Sequence, residues 1–172
     1  GQYLCSMSHA LPSIYMKTLR VLQDQAPTMD QETVQQLIAT EFPNDTIDTL
    51  FDSFSLTPVA AASIAQVHSA TLKHTGERVA VKLQYPQLQK DFAVDLFAHY
   101  CIVKCTEMFF PHFSLSWMHD EIAENLTKEL DFINEAKNSE KATRKFMETG
   151  NRYVYIPKIV WSHTTKRVLT ME

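Results

Sequence analysis

The sequence predicts an α+β fold on three observations. Apolar residues recur at helical spacing in the first fifty positions and again from Leu88 onward. Strict alternation runs through Arg78-Val79-Ala80-Val81-Lys82-Leu83-Gln84, and a glycine-bearing loop, Lys73-His74-Thr75-Gly76-Glu77, joins that run to an earlier β-rich one. Periods of 3.6 and 2 mark helix and strand respectively, and a short loop containing glycine between two strands marks a hairpin. A chain of 172 residues, 45% apolar and 21% charged, is large enough for one domain with a real core and lies outside disordered and fibrous compositions.

Taken in order, Pro12 and Ser13 open an apolar-periodic stretch through Ile14, Leu19 and Leu22 that Pro27 closes. Asp30 is placed to cap a second helix carrying Val34, Leu37, Ile38 and Phe42. Pro43-Asn44-Asp45 restarts a third, short helical stretch around Ile47, Leu50 and Phe51, so residues 1–53 read as a helical extension and 54–172 as the second domain. Strands are expected at 67–72 and 78–84, in a two- or three-stranded antiparallel meander. Tyr85-Pro86 ends the last of these, residues 88–110 read as a packed amphipathic helix, and a second long helix covers 117–147 up to Gly150-Asn151. Two further strands, 153–161 and 167–171, flank the polar turn Ser162-His163-Thr164-Thr165.

Several functional classes drop out on composition. A formal charge of −4, a pI near 6.0 and scattered Lys and Arg supply no field for nucleic acid. Asp95, His99, Lys104 and Glu107 interrupt the most apolar window and argue against a bilayer span. Cys5, Cys101 and Cys105 are an odd number at non-framework spacing, as in a disulfide-free compartment. Cys101 and Cys105 share a helix face but have no second ligand pair, so no metal site is assigned.

The chemistry centres on Lys82. Strand alternation puts Val79, Val81 and Leu83 on one face and Ala80 and Lys82 on the other, joining an ammonium to a methyl-sized neighbour. A nucleotide-binding strand needs that pair, the small residue for the adenine ring and the ammonium for phosphates. The segment Ala60-Ala61-Ala62-Ser63 precedes it where a phosphate loop would lie, without a glycine, which predicts a different nucleotide pose and a tighter turn or a helical start. A carboxylate-rich helix follows. Asp131 and Glu135 are four apart on one helical face, Glu129 projects elsewhere, and Glu135 is the residue expected to orient Lys82. The order is that of a kinase-type small lobe. Read separately, Lys82 is also an edge-strand lysine in water, the alanines a packing contact, and the acidic residues a solvated face. His68 reads as a satisfied structural histidine that bonds across the loop, and Phe109, Phe110, Phe113 and Trp117 as packing residues at a helix break.

These residues resemble the UbiB/aarF-domain (ABC1-type) family of atypical protein-kinase-like proteins, in its mitochondrial eukaryotic branch. The family's alanine-rich loop resembles residues 60–68, its nucleotide lysine falls on Lys82 and its Glu-x-Asp signature on Glu129-Leu130-Asp131. The glutamate partner falls on Glu135, and an N-terminal Lys-x-Gly-Gln signature survives as Gly1-Gln2. The resemblance implies ATP or ADP with Mg2+ as cofactor, a helical extension folded over the site, and a role in mitochondrial lipid metabolism of the coenzyme Q type or in membrane homeostasis, with a membrane lipid or lipid enzyme as partner.

Such a family also needs a catalytic-loop aspartate and a metal-binding aspartate from a large lobe, and no His-Arg-Asp or Asp-Phe-Gly element occurs in these 172 residues. The chain therefore reads as the N-terminal fragment of a kinase or ATPase, opening at Gly1 and stopping as Leu169-Thr170-Met171-Glu172 enters a hinge, with no catalytic residue of its own. The alternative readings are a nucleotide-regulated pseudokinase scaffold or binding module, and a structural α+β domain in which Lys82 and the acidic helix form an ordinary ion pair.

Overall fold

Asp30 opens the first helix as expected, its carboxylate accepting the Thr33 amide at 2.8 Å ahead of α1 (Gln31–Glu41). That bond satisfies one of the amides a helix start leaves unpaired. The coordinates are a computed structural model that describes residues 27–112, 114–150 and 153–172; the first expected helix, Gly1, Gln2, Cys5 and Phe113 lie outside the described residues. Two compact units emerge, one running up to Tyr85 and taking in Thr170–Glu172, the other spanning Pro86–Leu169.

In the first unit α1 buries Val34, Leu37 and Ile38, and a single helical turn, α2 (Ile47–Leu50), follows. The sequence reading carried Phe51 into that helix, but Phe51 begins strand β1 (Phe51–Phe54). β2 (Ala60–Ala61), β3 (Ala65–Leu72) and β4 (Arg78–Gln84) complete a meander, and β5 (Val168–Met171) is neighbour to β4. All pairings involving β3 are antiparallel, with β1 and β2 sharing its outer edge. A register shift between Phe51 and Ser53 resets the alternation, so Phe51 opposite Leu72 and Phe54 opposite Ala70 point to the same side, their ring centroids 5.4 Å apart. The hairpin between β3 and β4 turns on Gly76 at φ 69, a left-handed conformation that side chains disfavour. Val79, Val81 and Leu83 are buried and Ala80 and Lys82 half-buried, the alternation read from the sequence.

The second unit is helical. α3 (Pro86–Phe109) starts with proline at the first position, where the missing N–H costs nothing. α4 (Ser116–Glu129) and α5 (Phe132–Glu148) stand where one long helix was expected. The break is chemical. Asp131 adopts an extended conformation and its side chain accepts the Ile133 amide at 2.9 Å, capping α5 and ending continuity from Leu130. Glu107 performs the equivalent service at the start of α4, accepting the Leu115 and Ser116 amides at 2.9 and 2.8 Å and the Ser116 hydroxyl. Lys104 bonds the same carboxylate at 3.0 Å, and together these donors hold the Glu107 pKa down to about 2. A second clasp joins α3 to α4, with His99 and His119 stacked and their Nδ1 atoms 2.9 Å apart.

Three expectations fail here. The run at 153–161 is no strand; it contributes one bridging residue, Ile159, before a 3-10 turn, Trp161–His163. Tyr153 and Tyr155 are exposed and Pro157 has no amide to donate to a ladder, so the run builds no strand beyond the bridge at Ile159. The expected core or inter-lobe packing of the aromatics is not core packing within this chain, for Phe109, Phe110 and Trp117 are 72, 60 and 66% exposed. Nor is α3 packed as expected: of its 24 residues only Val103 is buried. No described helix is long and apolar enough to cross a membrane.

Candidate functional site

The register of the sheet unit determines which residues can meet a common ligand. Directly opposed residues on antiparallel strands project to the same face. Ala60 on β2 stands opposite Val67 on β3, and Val67 stands opposite Lys82 on β4. Ala60, Val67 and Lys82 therefore form one cross-strand row, spanning roughly 10 Å from outer strand to β4 at the usual strand spacing. Ser69 opposite Ala80 forms the adjacent row on the same face. The outcome is a shallow floor of small and β-branched side chains with one ammonium at its side. The opposite face carries Gln66, His68 and Ala70 against Leu83, Val81 and Val79 and is buried.

The alanine segment divides between strand and turn. Ala60 and Ala61 belong to β2 rather than to a loop, and the chain reverses through Ala62, Ser63 and Ile64, with the Ala62 amide donating to the Ala65 carbonyl at 2.8 Å. Among the described residues no non-glycine position has positive φ. A reversal built without left-handed residues has no need of glycine, which accounts for alanine and serine here. Of the tighter turn or helical start anticipated, the segment takes a turn. Backbone bonds from Tyr85 to the Ile64 carbonyl at 3.1 Å and from Val59 to the Val67 carbonyl at 2.7 Å hold the reversal beside the end of β4.

Glu129, Asp131 and Glu135 belong to the helical unit. Glu129 is the last residue of α4, Asp131 caps α5, and Glu135 lies in the first turn of α5, where a carboxylate complements the positive end of the helix dipole. The signature residues Glu129 and Asp131 thus straddle a helix break, which sends Glu129 elsewhere as expected, while Asp131 and Glu135 stay one turn apart, the Glu135 amide donating to the Asp131 carbonyl at 3.3 Å. The Phe132 amide bonds the Lys166 carbonyl at 3.0 Å, tying this break to the loop before β5. Among the described residues no three His, Cys, Asp or Glu side chains group as a metal site.

His68 behaves as a structural histidine. It is buried, stacks on Phe54 with centroids 5.0 Å apart, and bonds the Ser55 carbonyl at 2.7 Å. Burial pushes its pKa below the ordinary value, opposed by the Ser55 carbonyl. Val67 and Ser69 were not singled out from the sequence. Counting back from a Lys73–Glu77 loop pairs Leu72 with Arg78 and so His68 with Lys82; the hairpin instead closes at Leu72, whose amide donates to the Glu77 carbonyl at 2.9 Å, and that one-residue shift puts Val67 opposite Lys82.

Comparison with known proteins places the chain clearly. The profile of the ABC1 atypical kinase-like domain matches residues 21–172. The probable serine/threonine-protein kinase abkD of Dictyostelium discoideum is 44% identical over the whole chain, which spans 24% of that protein. AarF domain-containing protein kinase 1 of Mus musculus is 41% identical, and the chain spans 32% of it. Among solved structures, Rv3197 of Mycobacterium tuberculosis, determined in complex with erythromycin, superposes with a TM-score of 0.69 at 30% identity, covering all of this chain and 43% of that one.

Proposed function

The chain belongs to the ABC1 atypical kinase-like domain family, and on that premise we propose that it is the nucleotide-binding small lobe of an atypical kinase or ATPase that supports mitochondrial lipid metabolism of the coenzyme Q type or membrane homeostasis. The observation that carries this reading is the row Ala60, Val67, Lys82 with Ala80 beside it. Ala80 and Val67 provide the apolar floor for the base of ATP or ADP, Lys82 meets its phosphates, and the turn at Ala62 and Ser63 closes over them. Glu135 orients Lys82, and Glu129 and Asp131 shape the region of phosphate and Mg2+. Mg2+ bound there would neutralise phosphate charge.

The chain spans 24 to 32% of these curated relatives, so turnover belongs to a longer polypeptide. A scaffold reading, in which nucleotide regulates docking to a membrane lipid or a lipid enzyme, draws support from the exposed apolar side chains of α3, among them Val94, Phe97, Ile102 and Met108. Titration of this chain with MgATP and MgADP by calorimetry tests the common premise. Lys82→Ala is expected to weaken binding at least tenfold, as loss of a charge-assisted contact of about 1.5–3 kcal/mol requires. Equal affinity in both proteins removes Lys82 from the site. Fused to a relative's catalytic lobe, magnesium-dependent turnover lost with Lys82→Ala supports the enzyme, whereas binding without turnover supports the scaffold.

A further inference from the structure

Behind the face that carries Lys82, three hydrogen bonds run in series through the buried side of β3. The Met29 amide donates to Gln66 Oε1 at 2.8 Å, Gln66 Nε2 lies 2.8 Å from His68 Nε2, and His68 Nδ1 lies 2.7 Å from the Ser55 carbonyl. Only one arrangement of protons satisfies all three. The Ser55 carbonyl can only accept, so His68 carries its proton on Nδ1. The Met29 amide can only donate, so the Gln66 oxygen faces Met29 and its NH2 faces the lone pair on His68 Nε2. Gln66 and His68 are both wholly buried, so neither can replace a lost partner with water.

We propose that Gln66 and His68 form a one-proton latch, a pair of positioning residues that ties the connection between β1 and β2, and with it the strand bearing Ala60 and Ala61, to the segment entering α1. A proton added to His68 Nε2 sets two donors against each other. Relief comes when the Gln66 amide turns over, which presents NH2 to the Met29 N–H and breaks the link to α1. The two ends of the relay matter to the chain in different ways. Met29 directly precedes the capping residue Asp30, while Ser55 opens residues 55–59, which lead into β2. The latch stands on geometry alone; its effect on nucleotide rests on the reading proposed above.

The surroundings leave the switch to His68. Phe54 on β1 covers one face of the ring, and Val81 on β4 stands directly opposite. The cations of β4, Arg78 and Lys82, are on the other sheet face, and Asp52 of β1 pairs at 3.1 Å with Lys73 in solvent. On α1, Glu32 bonds Gln36 on the exterior, and Glu41 lies at the far end of the helix from Met29. Burial lowers the His68 pKa from its ordinary 6.5, so the folded state binds the proton less readily than the unfolded chain. The latch is closed at neutral pH and opens as pH falls through that lowered value.

The test is nitrogen-detected NMR of this chain with amide exchange across pH. The expected result is a neutral Nδ1–H tautomer at neutral pH, and a roughly tenfold loss of protection at Met29 relative to intrinsic exchange at the same pH, the worth of one hydrogen bond, once His68 titrates. Gln66→Leu should give that loss of protection at neutral pH. Gln66→Glu should act oppositely, since a carboxylate accepts from both Met29 N–H and a protonated His68, raising the His68 midpoint while Met29 stays protected. An Nε2–H tautomer, or Met29 exchange indifferent to both His68 titration and Gln66→Leu, overturns the latch. Should Gln66→Leu not fold, Gln66→Glu and the titration decide alone. Nucleotide affinity reduced severalfold in Gln66→Leu with Lys82 intact extends the latch to the site; a wild-type chain that ignores nucleotide defeats the nucleotide reading and leaves the latch standing on its exchange data.

Discussion

The sheet unit and the helical unit are stabilised by different means. The first buries Val34, Leu37, Ile38, Leu72, Val79, Val81 and Leu83, whereas α3 and α4, together 38 residues long, bury a single one, Val103. What joins α3 to α4 is a pair of discrete polar clasps, Glu107 on the start of α4 and His99 on His119, while α5 starts on its own cap, Asp131. A core distributes stability over many contacts that water cannot replace. A clasp concentrates it in a few groups whose protonation or removal is felt locally.

That contrast can be broken by mutation, and the sheet should show the largest effect. Leu83→Ala, at a fully buried position, is expected to cost about 2–5 kcal/mol in urea unfolding of the chain. A loss below 1 kcal/mol would mean the sheet core collapses around the gap and is less tightly packed than its burial implies. Asp131→Ala should cost about 0.5–2 kcal/mol, the usual worth of a helix cap, and should increase helicity across Leu130 by letting α4 run toward α5. Circular dichroism with chemical shifts at 129–133 reads both effects, and an unchanged break would assign it to something other than the cap.

Glu107 sharpens the comparison through pH. Its pKa is depressed from 4.5 to about 2, so the folded form binds the proton less readily than the unfolded chain. Its contribution is complete above pH 4.5 and is lost as pH falls from there through about 2. Protection of the Leu115 and Ser116 amides, taken relative to intrinsic exchange at each pH, should fall in that window ahead of protection in β3 and β4. Simultaneous loss in both places would deny that the clasp is local. The smallest effect is expected on the exposed face of α3, where Phe97→Ala should alter stability by no more than about 0.5 kcal/mol. A larger loss would reveal that Phe97 is covered in solution.

The fold was legible wherever a local rule and the tertiary environment agree. Strand β4 lies at 78–84 as expected because its alternation is the pattern of one buried face, and Asp30 caps α1 because the cap bond forms within four residues. Gly150, at φ 65, ends α5 as its sequence position suggested. The errors share a cause. At 153–161 the residues favour a strand, yet a strand needs an edge to pair with, and no local pattern reports whether one is free. The aromatic residues after α3 were assigned to packing because apolar side chains usually are buried, and exposure is a property of neighbours distant in sequence.

The candidate site divides in the same way. Lys82 and Ala80 were identified from the sequence by themselves, since period two makes them share a face whatever the strand pairs with. The companions of Lys82 on that face, Val67 and Ala60, follow from register and strand order, which are set by the hairpin closing at Leu72 and Glu77 and by hydrogen bonds across the sheet. The role of Asp131 likewise depended on competition between cap and helix, decided by one 2.9 Å bond. Sequence by itself determined the chemical inventory and the local periodicities, because these depend on residues a few positions apart. Only the tertiary structure decided which faces are covered, which strands are neighbours and how Gln66 and His68 complete each other's hydrogen bonds, because those outcomes depend on groups brought together from across the chain.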